Sequence, residues 1–399
     1  MLRKWNTPRR NLKNLFIMFG PAWLVMMADM DASSTVGAAE TGVVLKYSLI
    51  WFLLLLVIPL YFVQEASGRI GLVTGKGLGE LVRENYSRRT AVLMAFPMAL
   101  TDVLTYAVEY AGAAVGFAVF GVPPLISVPI VFLAHVFLVV GNKYSQAERA
   151  LLALSPLLFL SFGLVLWQRG LKPYPFLVVS SSPSFLFLLA ANVGAVIMPF
   201  MLFFQASATA IKWSTRKEGV GTGEAMKRVR VETFVGAIAT EILMVFVEMS
   251  TAGLDPSTDF VSPRSLYTAL ASASPLAPSL FSVGLISAAF LALVVISLGS
   301  AWGVVEALGV ERERAYMIYM VESVPAALVI SLVPTSSLVG SILNLLVLLV
   351  FTLIGPGVIL GLLISNEKVM GERRSKRLEL VAYWASLIFV ILFGFLAIL

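Results

Sequence analysis

Residues Gly20 to Gly37 read Gly-Pro-Ala-Trp-Leu-Val-Met-Met-Ala-Asp-Met-Asp-Ala-Ser-Ser-Thr-Val-Gly. Two carboxylates, Asp29 and Asp31, therefore lie within a long apolar run. An ionisable side chain inside a membrane is costly unless a partner compensates its charge. The serines and threonine that follow compete for backbone hydrogen bonds and weaken a helix. This stretch predicts a helix interrupted near the membrane centre, with a cation site at Asp31.

An alternative remains open for this carboxylate pair, which is that it lies at the lip of an aqueous vestibule. We favour the cation site for Asp31. Asp29 comes two residues earlier and so projects from a different face of a helix. For Asp29 the two interpretations are equally good.

The composition extends the membrane interpretation to the whole chain. Its 399 residues are 59% hydrophobic and 13% charged, whereas soluble domains average about 45–50% apolar and about 25% charged residues. Mean hydropathy is +0.91, and many apolar runs exceed the roughly 18 residues that suggest a membrane-spanning helix. The sequence therefore predicts an all-α integral membrane protein.

Several classes of chemistry lack their sequence signatures. The chain has no cysteine, which excludes disulfides and thiolate sites. It has no Walker-type phosphate loop, no His-Glu-x-x-His pattern and no nucleophile elbow. We expect neither an ATP-driven pump nor an enzyme, and no cofactor.

Hydropathy delimits eleven apolar segments, at residues 14–44, 48–66, 90–120, 123–141, 147–168, 184–211, 229–252, 276–308, 316–333, 337–364 and 379–399. Five of them precede the long sixth segment, and five more can be counted from it. That order permits two five-helix halves, and halves with an odd number of helices must be inverted relative to each other. The stretch from Trp213 to Glu224 contains three glycines and is predicted to be a linker.

Lysine and arginine placement predicts the orientation. Of the 29 basic residues, only Lys46, Arg169, Lys172 and Arg264 fall outside the N-terminal arm and the connections after even-numbered segments. Cytoplasmic connections carry the basic excess. We therefore expect a plasma-membrane protein with a cytoplasmic N-terminus and an external C-terminus. The net charge of +6 reports topology, and we expect no nucleic-acid binding and no obligate protein partner.

The sixth segment contains a second anomaly, Gly194-Ala-Val-Ile-Met-Pro-Phe200. Pro199 has no N–H to donate, and in a helix its ring collides with the carbonyl four residues earlier, that of Ala195. The freed Ala195 oxygen needs a new partner, either a cation or water. Met198 offers a soft thioether beside it. On this segment alone, a packed proline kink is the better interpretation.

Other polar residues occur within apolar segments. Glu109 is equally well interpreted as a proton relay or as a helix–helix hydrogen bond. Asp102 is expected to be solvated, because it lies nearer the cytoplasmic half of its segment. His135, the single histidine, and Glu322 are expected to be structural.

The stretch Phe62-Val-Gln-Glu-Ala-Ser-Gly-Arg-Ile-Gly-Leu-Val-Thr-Gly-Lys-Gly-Leu-Gly-Glu-Leu81 resembles the signature that follows the second helix of the Nramp family of divalent-metal transporters. The residues Gly194, Ala195, Met198 and Pro199 resemble the family's sixth-helix pattern. The resemblance extends over roughly residues 14 to 375.

The resemblance implies a LeuT-like fold in a single membrane transport domain, residues 1–399. Its parts would be a first five-helix repeat (14–168), a second inverted repeat (184–364) and an additional helix (379–399). Helices 1 and 6 would be broken at the midplane, where the metal binds. The metal ligands that the resemblance implies are Asp31, Ser34, Ala195 and Met198. The charge of Asp31 and the position of Pro199 also point to Asp31 and the Ala195 carbonyl without the resemblance.

The chain departs from the family pattern at these breaks. The family's Asp-Pro-Gly-Asn is Asp31-Ala-Ser-Ser34 here, so the helix-breaking Pro and Gly are missing. The family's Met-Pro-His-Asn is Met198-Pro-Phe-Met201, and a second family histidine is Gln205.

Proton coupling is therefore expected to be weak or absent. Both sixth-helix histidines are replaced, and one third-helix carboxylate of the family is Tyr106, which rarely loses a proton at pH 7. Glu109 remains as the other carboxylate. Asp29, Glu109, Gln205 and the basic residue Lys212 are the candidates for proton movement or for support of the metal ligands.

The leading functional hypothesis is a secondary transporter that imports divalent transition-metal ions such as Mn²⁺ or Fe²⁺ by alternating access. Thioether sulfur discriminates against hard Mg²⁺ and Ca²⁺. A Mg²⁺ transporter of the same fold, which keeps the ion partly hydrated, is an alternative. A carrier of small organic solutes, with Asp29 or Asp31 pairing an amine, is a more remote one. The expected partners are the ion and the lipid bilayer.

The predicted topology can be tested by labelling. A cysteine introduced at Asn6 should be protected from an impermeant thiol reagent in intact cells, while a cysteine at the C-terminal end should react. The chain contains no native cysteine, so the background is low. Labelling of Asn6 from outside would contradict the orientation.

Overall fold

The computed structural model describes residues 19–140, 144–215, 222–335 and 338–398. Within these ranges the regular structure is helical, with no β-strand. The all-α prediction is therefore confirmed for the described residues. In chain order the α-helices are α1 (Pro21–Asp29), α2 (Ala32–Leu45), α3 (Ile50–Thr74), α4 (Leu78–Asn85), α5 (Arg88–Val119), α6 (Pro124–Val140), α7 (Tyr144–Arg169), α8 (Pro183–Val196), α9 (Pro199–Thr215), α10 (Thr222–Thr251), α11 (Pro263–Ala271), α12 (Ala277–Leu308), α13 (Ala315–Leu332), α14 (Val339–Ser365), α15 (Glu367–Met370) and α16 (Arg377–Phe395).

Nine helical stretches among the described residues are long and apolar enough to cross a membrane, with α8 and α9 counted together. Helix α6 is apolar but has only 17 residues. The interrupted pair α1 and α2 makes up the first predicted segment. Eleven spans, and their division into repeats at 14–168 and 184–364 with 379–399 added, stay predictions.

Some predicted segment ends differ from the helices. The second segment was expected to end at residue 66 with Arg69 in a loop, but α3 continues to Thr74 and Arg69 is buried. The Arg69 guanidinium lies 3.1 Å from the carboxylate of Glu65, one helical turn earlier, so its charge is compensated inside the helix. Helix α3 ends where Gly75 adopts φ +66°, a left-handed conformation that suits glycine.

The expected linker from Trp213 to Glu224 is also shorter than predicted. Helix α9 continues to Thr215 and α10 begins at Thr222. The intervening residues 216–221 lie outside the described ranges, as do residues 14–18, 141, 337 and 399 at the ends of predicted segments.

A network of four charges joins three helices. Glu65 of α3 accepts hydrogen bonds from Arg69 and from Arg230 of α10, the latter at 2.9 Å. Arg230 also donates to Glu379 at the start of α16, at 2.7 Å. The network therefore ties the last helix to α3 and α10.

Helix α12 lies in the interior and packs against α5, α7 and α9, while α10 packs against α1, α2 and α3. Two glycines let backbones touch. A Cβ on Gly194 would lie 1.8 Å from the Leu346 carbonyl oxygen of α14, and one on Gly71 would lie 2.0 Å from that of Ala206 in α9. Small residues at helix contacts are the usual means of close packing in membranes.

Candidate metal-ion site

The first predicted segment is interrupted at Met30 and Asp31, between α1 and α2. Asp31 has an extended backbone (φ −81°, ψ −177°) and is the N-cap of α2. Its Oδ1 accepts hydrogen bonds from the Ser34 backbone N–H at 2.6 Å and from the Ser33 hydroxyl at 2.7 Å. Aspartate is among the best N-cap residues. A cap therefore starts the second half-helix here, without the Pro and Gly of the family pattern.

The second oxygen of Asp31 is in a different situation. Oδ2 is buried and has no hydrogen-bond partner among the described residues, and the side chain is 0% exposed. A buried ionised carboxylate requires compensation, by a cation or by hydrogen bonds. Oδ2 is thus the atom of Asp31 that a cation would engage, while Oδ1 holds the helix end.

The sixth segment is interrupted between Val196 and Pro199, where α8 ends and α9 begins. Ile197 has an extended backbone (φ −135°, ψ 98°). Proline at the start of α9 explains the break, because its ring is incompatible with a continuous helix and disfavours a helical residue before it. The hydrogen bond that the Ala195 carbonyl would make in a continuous helix is lost.

The two interruptions meet at one point. The Ser34 hydroxyl of α2 donates to the carbonyl oxygen of Ala195 at 3.4 Å. The structure thus brings together two of the four predicted ligands from segments 161 residues apart. Asp31 is joined to Ser34 by its cap. All four predicted ligands are buried.

Met198 lies in the interruption itself. Its backbone N–H, the one just before Pro199, donates to the sulfur of Met201 at 3.3 Å. Met201 could not be singled out from the sequence, because a methionine sulfur is only a weak hydrogen-bond acceptor. Met201 becomes an acceptor because the helix break leaves the Met198 N–H, three residues earlier, to bond outside a regular helix.

Glu109 of α5 reaches the same half-helix. Its Oε2 accepts a hydrogen bond from the backbone N–H of Ala32 at 2.9 Å, while Oε1 has no partner among the described residues. Negative charge at a helix N-terminus is stabilised by the free N–H groups there. Glu109 and Asp31 therefore both bind the first turn of α2, and in the part of the chain that the structure describes each keeps one oxygen without a hydrogen-bond partner.

The remaining candidates turn elsewhere. Asp29 faces α10, where its Oδ2 accepts from Thr240 at 3.4 Å. Gln205 donates to the hydroxyl of Thr233 in α10 at 3.2 Å. None of these contacts involves a predicted metal ligand.

Lys212 lies near the cytoplasmic end predicted for α9. Its ammonium donates to the Phe19 carbonyl and to Glu148 of α7, both at 3.1 Å. Glu232 of α10 accepts from the backbone N–H groups of Gly20 and of Trp23, the latter at 2.9 Å. These contacts fasten the start of α1 rather than the interruption.

The donor set at the interruptions is mixed. The described residues contain no group of three or more His, Cys, Asp or Glu side chains placed to hold a metal ion. One hydroxyl and one backbone carbonyl are in contact here, the Asp31 carboxylate caps the same helix turn, and Met198 follows Ala195 in the interruption. Such ligands suit a divalent cation that keeps some of its waters. They do not resemble the histidines and thiolates that usually bind zinc.

Comparison with known proteins extends these observations. Two relatives are named divalent metal cation transporter MntH. That of Pediococcus pentosaceus is 26% identical over 69% of this chain, and the match covers 66% of the relative, slightly less than two thirds. That of Bacillus subtilis is 25% identical over 96% of this chain and 92% of its own length.

The fold is also found among solved structures. A crystal structure of the Eremococcus coleocola manganese transporter matches with a TM-score of 0.78 at 20% sequence identity, over 97% of this chain and 87% of that one. This likeness confirms the predicted class of membrane fold. The family model named Nramp, described as natural resistance-associated macrophage protein-like, matches residues 22–399. The resemblance inferred from the signature after the second segment is thereby confirmed, and the chain belongs to the Nramp family.

Proposed function

We propose that this chain is a secondary transporter that imports divalent transition-metal ions of the Mn²⁺ and Fe²⁺ class by alternating access, from the outside of the plasma membrane to the cytoplasm. The observation that carries the proposal is the meeting of two helix interruptions at the Ser34 hydroxyl and the Ala195 carbonyl, beside an unpartnered oxygen of Asp31. The relatives' names, which refer to divalent metal cations and to manganese, support it.

The spacing of the oxygens suits one shared ion. With metal–oxygen distances of about 2.1 Å, two ligands at right angles lie about 3.0 Å apart. The two oxygens of Ser34 and Ala195 are 3.4 Å apart, so a small adjustment would let both bind one cation. Asp31 would supply the charge, Met198 the sulfur, and waters the remaining ligands.

The thioether favours a transition metal over Mg²⁺. Mg²⁺ prefers oxygen ligands and holds its waters tightly, whereas sulfur binds softer ions. No contact in the described residues favours the Mg²⁺ alternative specifically. Asp29 accepts a hydrogen bond from Thr240 of α10 and lies near the carboxyl groups of Glu241 and Asp31.

Alternating access would require movement around a closed site. The four proposed ligands are 0–1% exposed, so this conformation encloses them. The start of α1 is fastened by Glu232 and by the ion pair of Lys212 with Glu148. Release of these contacts would let α1 swing away and open a path to the cytoplasmic side.

The proposal includes weak or absent proton coupling. Gln205 is hydrogen-bonded to Thr233, and the Tyr106 hydroxyl donates to Ser297 at 2.8 Å. Neither side chain readily exchanges a proton near neutral pH. The driving force would then be the metal gradient and the membrane potential.

Asp31→Asn tests the carboxylate as a ligand. Asparagine also caps helices well, so α2 should still begin at residue 32. Loss of a group that merely supports a metal ligand costs about 10–100-fold in metal affinity, and loss of the charged ligand should cost at least as much. Mn²⁺ uptake into proteoliposomes should fall accordingly. Ser33→Ala, which removes only one hydrogen bond to Asp31, is the matched control and should retain uptake. Unchanged flux in Asp31→Asn would remove Asp31 from the site.

Met198→Ala should change selectivity more than rate. Without the sulfur, only oxygen ligands surround the ion, and Mg²⁺ and Ca²⁺ should compete better against Mn²⁺ uptake than in the parent. Met198→Leu keeps the side-chain volume and should show the same loss of selectivity. If only the alanine variant changes, a cavity is the cause and the sulfur argument fails.

Glu109→Gln tests the coupling. The glutamine oxygen can still accept from Ala32, so the helix contact is kept while the titratable group is lost. We expect metal uptake to persist, with little metal-dependent acidification of the lumen in either parent or variant, read with a trapped pH-sensitive dye. Strong acidification in the parent that disappears in Glu109→Gln would show that a shortened proton relay operates.

A further inference from the structure

Two carboxylates outside the metal-ion site lie close together within the helix bundle. Asp102 of α5 is 0% exposed and Glu322 of α13 is 4% exposed, which corrects the expectation that Asp102 is solvated. The two carboxyl groups lie near enough to interact electrostatically. Asp102 lies near the middle of α5 and Glu322 about two turns after the start of α13, at the interface of α5, α12 and α13.

A single serine links the pair. The Ser300 hydroxyl of α12 donates a hydrogen bond to Glu322 Oε1 at 3.0 Å, and the same side chain lies next to Asp102. A serine hydroxyl has one proton to donate and two lone pairs that accept. Because that proton is used on Glu322, Ser300 can face Asp102 only as an acceptor.

The Asp102 carboxyl group has no hydrogen-bond donor among the described residues. Both of its carboxylate oxygens and Glu322 Oε2 have no hydrogen-bond partner among the described residues. No ion pair within the described residues involves either side chain. The titratable group that also faces them is the Tyr106 hydroxyl of α5, which donates to Ser297 and not to the pair. Beyond it, His135 of α6 shares Ser297, at 2.5 Å.

Two adjacent ionised carboxylates in such surroundings are not stable, since like charges at one buried site cannot both ionise. Glu322 borders an otherwise apolar surface groove of about 330 Å³, formed by residues such as Ala99, Val103 and Val321. A hydrated metal ion has little polar surface to meet there. A proton needs only one donor and one acceptor.

We propose that Asp102, Ser300 and Glu322 form a proton-binding site in which protonated Asp102 donates to the Ser300 oxygen and Ser300 donates to ionised Glu322. One proton then satisfies the lone pair of Ser300 and removes the repulsion between α5 and α13. The proton is held between helices and is not part of the metal-ion site. The proposal goes beyond metal transport and does not depend on it.

Infrared spectroscopy of the purified full chain at neutral pH tests the site without any transport assay. A protonated carboxylic acid has a carbonyl stretch separate from the bands of carboxylates. Asp102→Asn should remove the equivalent of one such acid band per chain. Ser300→Ala should keep the band and move it to higher frequency, because the acid loses its hydrogen-bond acceptor.

The matched control is Glu65→Gln. Glu65 is also buried, but it is paired with Arg69 and Arg230, so this change should remove a carboxylate band and no acid band. Raising the pH should convert the Asp102-dependent band to a carboxylate band. Should Asp102→Asn not fold, the Ser300→Ala shift and the pH-dependent loss in the parent still test the assignment.

Two results would overturn the proposal. One is an acid-band spectrum that is the same in the parent and in Asp102→Asn, with no shift in Ser300→Ala. The other is an Asp102-dependent band that disappears when Na⁺ or Mg²⁺ replaces choline in the buffer, which would mean that a metal ion holds the pair.

Discussion

The hydrogen bonds from the Ser34 backbone and the Ser33 hydroxyl to Asp31 are the interaction on which the centre of this structure depends. They start α2 in the middle of an apolar segment, and a half-helix that starts there presents free N–H groups at that depth. Glu109 binds one of these groups, and the Ser34 hydroxyl reaches the Ala195 carbonyl. The contacts of Glu109 and of Ala195 both depend on this cap, because both are made with the first turn of α2.

This arrangement also explains how the chain keeps a broken first helix without the family's Pro and Gly. Proline and glycine interrupt a helix by making its continuation unfavourable. Asp31 achieves a similar result by stabilising the start of a new helix, α2. One N-cap typically contributes about 1 kcal/mol to helix stability. The two oxygens of the Asp31 carboxylate therefore differ in role. Oδ1 caps α2, and Oδ2 has no hydrogen-bond partner among the described residues.

Much of this could be predicted from the sequence, because the relevant signals are local. Apolar runs longer than a membrane is thick indicate helices, and Pro199 indicates a break at Ala195 from the covalent geometry of proline alone. The failures concern residues whose environment is set by distant partners. Arg69 is buried because Glu65 and Glu379 compensate its charge, and Glu379 lies on another helix.

Asp102 and Glu109 illustrate the same limit within one helix. Both are isolated carboxylates in the third apolar segment, and the sequence around them does not show which helix each one contacts. Glu109 meets a helix end 77 residues away, whereas Asp102 meets Ser300 and Glu322. Only the packing of α5 against α2, α12 and α13 assigns them different partners. Met201 likewise acquires a role only once the break at Pro199 is known.

Two glycine contacts hold the two halves of the interrupted sixth segment, α8 and α9, against different helices. Gly194 holds α8 against the backbone of α14, while Gly71 holds the backbone of α3 against α9. Neither contact has room for a side chain, so neither pair of helices can slide or separate without losing close backbone packing. A displacement of α8 relative to α9 is therefore expected at the interruption between them, Ile197 and Met198. An ion bound at the Ala195 carbonyl would lie at this junction, between the α8–α14 contact and the α3–α9 contact.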